Sequence, residues 1–258
     1  MMIGARTAAW AKSGYTAKDY VQDGLIAMWD GIENAGWGVH DPNATAWKNL
    51  VSGDTALHIP DGSLWGNTYL HTISDGGGDH KIGGGGDSHY LAPKLTEFPF
   101  CSFECSFLFN SGSDSAGNKA GSIGINIAQG NFSSFIYGMP WGVKYYIWPG
   151  FGGFKDYLYD ASEILSKNSL INLCATCERG GLSKYFINGQ LISSTTAPTS
   201  AKIDTRYVTR FNSGTWNGNI GIDANYYGMR IYNRPIDQKE VAANYAIDKA
   251  RFNLQDVA

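Results

Sequence analysis

Cys101-Ser102-Phe103-Glu104-Cys105-Ser106-Phe107-Leu108-Phe109 is the stretch that decides the fold. Its odd positions are apolar and its even ones mostly polar. Successive side chains of an extended strand point to opposite faces, so this period of two predicts a strand with one face buried and one wet. Cys101 and Cys105 fall on the buried face, and Glu104 is expected on the solvated one. Working outward, short apolar or aromatic runs recur between turn residues: 25–29, 123–127, 135–137, 145–148, 171–177, 184–187, 191–193 and 220–222. Such spacing predicts an antiparallel β-sandwich. Asn188-Gly189, between two of these runs, has the chemistry of a two-residue type I′ hairpin turn.

One helix is predicted, near the end. Asp237 supplies an N-cap acceptor and Glu240 follows three residues later, the capping-box spacing, just past Pro235. Val241, Asn244, Tyr245 and Asp248 recur at helical spacing, which places Val241 and Tyr245 against the sandwich and leaves Lys239 and Lys249 wet. Residues 1–22 read as a segment leading into the fold, with a helical turn around Thr16–Tyr20. Residues 23–258 read as a single sandwich domain, since no repeat or linker divides them.

The chain has 258 residues, 43% hydrophobic and 14% aromatic, with 33 glycines and only 17% charged side chains, which suits many short strands joined by tight turns. Lysine and arginine total 20 against 23 acids, so no strong field concentrates a nucleic acid or an anionic membrane. No apolar run matches a signal-peptide core or a membrane span. The four cysteines pair as Cys101/Cys105 and Cys174/Cys177. A three-residue offset on a strand points Cys174 and Cys177 to opposite faces, so free thiols are favoured over a cross-strand disulfide, and a metal site comes third.

Several pieces together resemble the laminin G-like branch of the concanavalin A-like lectin and glucanase superfamily. Residues 23–31, Asp-Gly-Leu-Ile-Ala-Met-Trp-Asp-Gly, resemble its first strand, and Trp47-Lys48-Asn49-Leu50 its following turn. Residues 86–91 resemble the short strand before the alternating one, and 173–181 with 185–189 resemble its hairpin. Met229-Arg230-Ile231-Tyr232-Asn233-Arg234-Pro235 and the helix after it resemble the closing elements. The opening Met2–Thr7 is similar to the start of some prophage-encoded structural proteins. The resemblance implies a two-sheet antiparallel jelly roll with a short C-terminal helix, used to bind glycans or protein partners. It also implies an extracellular, cell-surface or virion-associated place. It implies no activity, because function separates easily from fold.

Glucanases of that superfamily carry a Glu-x-Asp-x-(x)-Glu run, which lines the cleft with acids from one strand face. None of Glu33, Glu97, Glu104, Glu163, Glu178 and Glu240 is followed two residues later by aspartate. Glu104 has no acidic companion on its strand. No nucleophile elbow, phosphate loop or His-Glu-x-x-His pair is present either. Asp75, Asp79, His80, Asp87 and His89 form the richest metal-like group, but their spacing matches no known calcium loop, and ordinary polar loops are expected. A catalytic residue, a metal and a cofactor are therefore not assigned.

Sugar rings stack their C–H faces on flat aromatic side chains, while hydroxyls need polar partners nearby. The segment 135–159 is rich in aromatics. In Lys144-Tyr145-Tyr146-Ile147-Trp148 alternation sends Tyr146 and Trp148 to one face and Tyr145 and Ile147 to the other. Tyr146 and Trp148, with Trp141 before them and Trp216-Asn217 in a glycine-flanked loop, are the candidate carbohydrate-binding residues. Trp29, Trp47 and Trp65, and Tyr226 and Tyr227, read as packing residues. The leading expectation is a non-catalytic, lectin-like module that binds a glycan or surface polymer. Its rivals are an assembly protein using the sandwich as a protein–protein or homo-oligomer interface, and a glycan-cleaving hydrolase or lyase with an unrecognised site.

Overall fold

The computed structural model describes residues 14–52, 56–59, 62–72, 100–111, 126–127, 132–133, 135–138, 145–148, 159–160, 170–178, 182–196 and 223–252. The strands are β1 (Leu25–Asp30), β2 (Ala46–Trp47), β3 (Leu57–His58), β4 (Leu64–Trp65), β5 (Leu70–Thr72), β6 (Phe100–Ser111), β7 (Asn126–Ile127) and β8 (Phe132–Ser133). They continue as β9 (Phe135–Gly138), β10 (Tyr145–Trp148), β11 (Tyr159–Asp160), β12 (Leu170–Glu178), β13 (Leu182–Ile187), β14 (Gln190–Thr196) and β15 (Asp223–Tyr232), before helix α1 (Gln238–Phe252). The chain is an all-β antiparallel sandwich closed by a C-terminal helix, as the strand spacing predicts. The expected strands at 86–91 and 220–222, and the acidic group Asp75–His89, lie outside the described residues.

The main sheet runs β14-β13-β12-β6-β15-β5-β4, and β1 pairs with the second half of β15 beside β5. Its centre is β12-β6-β15, where Leu173 and Met229 flank Cys105 and Cys174 and Arg230 flank Glu104. One face therefore collects Phe103, Cys105, Phe107, Ile171, Leu173, Ala175, Met229 and Ile231, all fully buried. Burying each large side chain of this kind contributes about 1.5–3 kcal/mol, so this apolar face supplies most of the driving force for closure.

The other face carries Ser102, Glu104, Ser106, Asn172, Arg230 and Tyr232, and it is buried as well. This corrects the expectation that Glu104 is solvated: it is 0% exposed. The alternation is real, but both faces are covered, the polar one by α1 and by the segment around a 3-10 turn at Ala17–Asp19. Val241 packs with Cys174, Phe186, Tyr232 and Ile236, while Ile247 joins Ala17, Tyr20, Met28 and Leu50. Phe252 meets Ile32, Leu170 and Tyr227. Cys105 and Cys174 are buried, form no disulfide, and lie on opposite faces of the sheet. Burial pushes the Cys105 thiol well above its usual range.

Two local devices hold α1 in place. Asp237 Oδ1 accepts from the backbone N–H groups of Lys239 (2.8 Å) and Glu240 (2.9 Å), and Glu240 Oε2 accepts from Asp237 N at 2.8 Å, a complete capping box. The Asn188-Gly189 turn has φ of 50° and 77°, as type I′ requires, and passes directly beneath the helix. A Cβ on Gly189 would lie 2.9 Å from Ala242 Cα, so both the turn and the close approach demand glycine.

Candidate functional site

The candidate residues Tyr146 and Trp148 lie on β10, the middle strand of a separate three-stranded sheet ordered β11-β10-β9. Cross-strand register sets Tyr146 opposite Tyr137 on β9 and Asp160 on β11, and Trp148 opposite Phe135. Residues directly opposed in an antiparallel pair share a face, so Phe135, Tyr137, Tyr146, Trp148 and Asp160 belong to one side of this sheet. Ile136, Tyr145, Ile147 and Tyr159 belong to the other. By sequence, the register positions of the first set are held by two tyrosines, a phenylalanine, a tryptophan and an aspartate. Rings offer stacking surface and the oxygens offer hydrogen-bond partners, the two things a sugar needs. Asp160 and Tyr137 were not singled out from the sequence, because β9 and β11 must be paired with β10 before they share its face. Trp141, Trp216 and Asn217 lie outside the described residues.

Glu104 has its acidic companion, Asp248, on α1 rather than on its own strand. Arg230 sits between two carboxylates: its Nε donates to Glu104 Oε2 at 2.8 Å, and its Nη1 and Nη2 donate to Asp248 Oδ1 and Oδ2 at 3.0 and 2.7 Å. Asn172 and Asn244 donate to the two Glu104 oxygens at 3.0 and 2.8 Å. Tyr20 donates to Asp248 Oδ1 at 2.6 Å, and Ser106 Oγ bonds Asp248 Oδ2. The Arg230 guanidinium also lies over the Tyr20 ring, 4.0 Å from its centre. A second buried pair follows along the helix, where Arg251 binds Asp30 and, at 3.1 Å, Glu33.

Burial raises the Glu104 carboxyl above its ordinary value, and Arg230 draws it part of the way back. Burial also opposes the Arg230 charge, but Asp248 and Glu104 overcome that and hold it firmly protonated. Burial raises the Tyr20 phenol well above its usual range. A glycosidase pair needs open space between its carboxyls for the scissile bond. Here a guanidinium fills that space, and Glu104, Asp248 and Arg230 are at most 1% exposed. The cluster is a joint between sheet, helix and N-terminal segment. Among the described residues no group of three or more His, Cys, Asp or Glu is arranged to hold a metal ion.

No family model matches the chain, and no curated protein matches it. Solved structures do match in shape. A Trypanosoma rangeli sialidase in complex with sialic acid superposes with a TM-score of 0.58 at 10% identity, covering 86% of this chain and 32% of that one. The binding domain of botulinum neurotoxin DC in complex with SialylT gives 0.61 at 13% identity, over 88% of this chain and 52% of the other. The same toxin domain in complex with rat synaptotagmin II gives 0.59 at 12%, over 87% and 52%. The chain thus spans about a third of the sialidase and about half of the toxin chains. At such identities the likeness establishes a shared β-sandwich architecture.

Proposed function

We propose that this chain is a non-catalytic, lectin-like module of the concanavalin A-like, laminin G-like kind, which binds a glycan or surface polymer. The observation that carries the reading is the register that gathers Phe135, Tyr137, Tyr146, Trp148 and Asp160 on one face of β9-β10-β11. Tyr146 and Trp148 stack on sugar rings in this reading, and Asp160 accepts from a hydroxyl. Trp141, Trp216 and Asn217 are further candidate ligand contacts in this reading. Two further observations support it: the acid pair at Glu104 and Asp248 is closed by Arg230, and the same architecture occurs in a toxin domain solved in complex with SialylT. The reading needs no cofactor or metal, and suits a component of a phage or bacterial surface assembly.

A glycan array followed by calorimetric titration tests it. Wild type binds at least one glycan class, and Trp148→Ala lowers that affinity by about tenfold or more without shifting the melting temperature. Absence of binding across a broad panel removes the proposal. Light scattering adds a second check, because a stable oligomer that hides Trp148 from solvent would assign this face to a subunit contact instead.

A further inference from the structure

Cys101 and Cys177 stand directly opposite one another in the antiparallel pairing of β6 with β12. Cys101 is the second residue of β6 and Cys177 the last but one of β12, so the pair closes one end of the central ladder. Along the chain the cysteines come as Cys101 with Cys105 and Cys174 with Cys177, whereas strand pairing sets them across the ladder. Directly opposed residues of an antiparallel pair have Cα atoms about 4.5 or 5.5 Å apart, depending on whether they exchange backbone hydrogen bonds. Both separations fall inside the range of roughly 4.4–6.8 Å that a disulfide spans. By alternation the two positions also share one face of the sheet, that of the opposed residues Phe103 and Ala175.

No other pairing of the four cysteines meets this condition. Along one strand, Cys101 and Cys105 are about 13 Å apart, and Cys174 and Cys177 about 10 Å. Cys105 stands opposite Leu173 and Cys174 opposite Glu104, so these two are diagonal neighbours on opposite faces. Cys101 is offset from Cys174 by three ladder positions and Cys105 from Cys177 by four, again beyond reach. Cys105 and Cys174 are also fully buried, and burial keeps the Cys105 thiol protonated. The thiolate is the attacking species in disulfide chemistry, so Cys105 is a poor competitor. Ladder ends open more readily than ladder centres, which favours reaction at Cys101 and Cys177.

We propose that Cys101 and Cys177 form a redox-sensitive cross-strand disulfide that locks β6 to β12. The oxidant is a low-molecular-weight disulfide such as oxidised glutathione. One cysteine, as its thiolate, attacks that disulfide, giving a mixed disulfide and one small thiol. The second thiolate then attacks the protein sulfur of the mixed disulfide and releases the other small thiol. Two protein thiols are oxidised, the small disulfide is reduced to two thiols, and the two protein thiol protons end on them. The bond closes the segment 102–176, which carries β7–β11 and with them Tyr146 and Trp148. A cross-link over so long a stretch restricts the unfolded chain strongly, so the oxidised protein is the more stable form. This proposal concerns the main sheet and is independent of the glycan reading, so either can fail alone.

The test incubates the folded full chain with oxidised or with reduced glutathione, then unfolds it and labels its thiols with N-ethylmaleimide. The reduced protein takes a label on all four cysteines, and the oxidised one only on Cys105 and Cys174. Peptide fragmentation by mass spectrometry joins Cys101 to Cys177. The oxidised form melts about 5–15 °C above the reduced one. Cys101→Ser and Cys177→Ser, checked for folding by circular dichroism, form no internal link and lose that gain. The wild-type mapping decides the question even where a variant fails to fold. Four labels after oxidation overturn the proposal, as does glutathione retained on both cysteines without a link. A link that uses Cys105 or Cys174, or that joins two chains, overturns it too. A Cys101–Cys177 link that leaves the melting temperature unchanged overturns the lock.

Discussion

The two faces of the main sheet share the same three strands and the same degree of burial, yet they are built on opposite chemistry. Phe103, Cys105 and Phe107 look into an apolar core, while Ser102, Glu104 and Ser106, one residue along in each case, look into a network closed by Arg230, Asp248 and Asn244. The apolar side holds by removing surface from water and tolerates small losses of shape. The polar side holds only while each charge keeps its partner, since a buried carboxylate without one is costly. Stability on one side is thus graded, and on the other it is close to all-or-none.

The largest expected effect breaks the polar side. Arg230→Ala leaves Glu104 and Asp248 buried without their shared cation and removes the stack on Tyr20, and should cost about 3–5 kcal/mol in urea unfolding. Replacing Glu104, Arg230 and Asp248 together by apolar residues of similar size should cost less than Arg230→Ala alone, which would show that the penalty is the orphaned charge. Next comes the joint between hairpin and helix, where Gly189→Ala introduces both a disfavoured backbone and a contact with Ala242, about 1–3 kcal/mol by the same assay. On the apolar side Ile231→Val, next to Arg230, should cost about 1 kcal/mol.

The smallest effect sharpens the contrast through pH. Glu240 is lowered from its ordinary value of 4.5 by its hydrogen bond to Arg234. Its contribution is present above that ordinary value and is lost as pH falls through the lowered one. Glu104 is raised, so its contribution is present at low pH and declines as pH rises through the raised value. Unfolding free energies measured from pH 3 to 7 should therefore show Glu240→Gln flattening the acid limb. The Arg234–Glu240 pair is half-buried, and its loss should amount to about 0.5 kcal/mol.

Much of this architecture was legible in local chemistry. The strand at Tyr145–Trp148, the Asn188-Gly189 turn and the Asp237/Glu240 cap each follow from residues close in sequence, and each appears where its pattern places it. Glu104 was misplaced for a physical reason. Alternation reports which residues share a face and is silent about what covers that face, and here the cover is a helix more than a hundred residues away. The one hint was Asn244 and Asp248, polar residues on the inward stripe of that helix. Tyr20 was likewise hidden in a segment read as leading into the domain, although it is 2% exposed and bonded to Asp248. For the candidate site, sequence alone proposed Tyr146 and Trp148 as neighbours, whereas Asp160 joins their face only through strand pairing.

Strand β1 pairs with β15, and Tyr20 bonds a residue 228 positions further on. Joining such distant partners carries a heavy loop-closure cost before any contact rewards it, so the chain should fold slowly for its size. During synthesis from the N-terminus, β1 waits for residues 223–232, its partner among the described residues, and its Asp30 waits longer still for Arg251. Over that interval an unpaired apolar edge is open to other chains, which makes the growing polypeptide a natural client for chaperones.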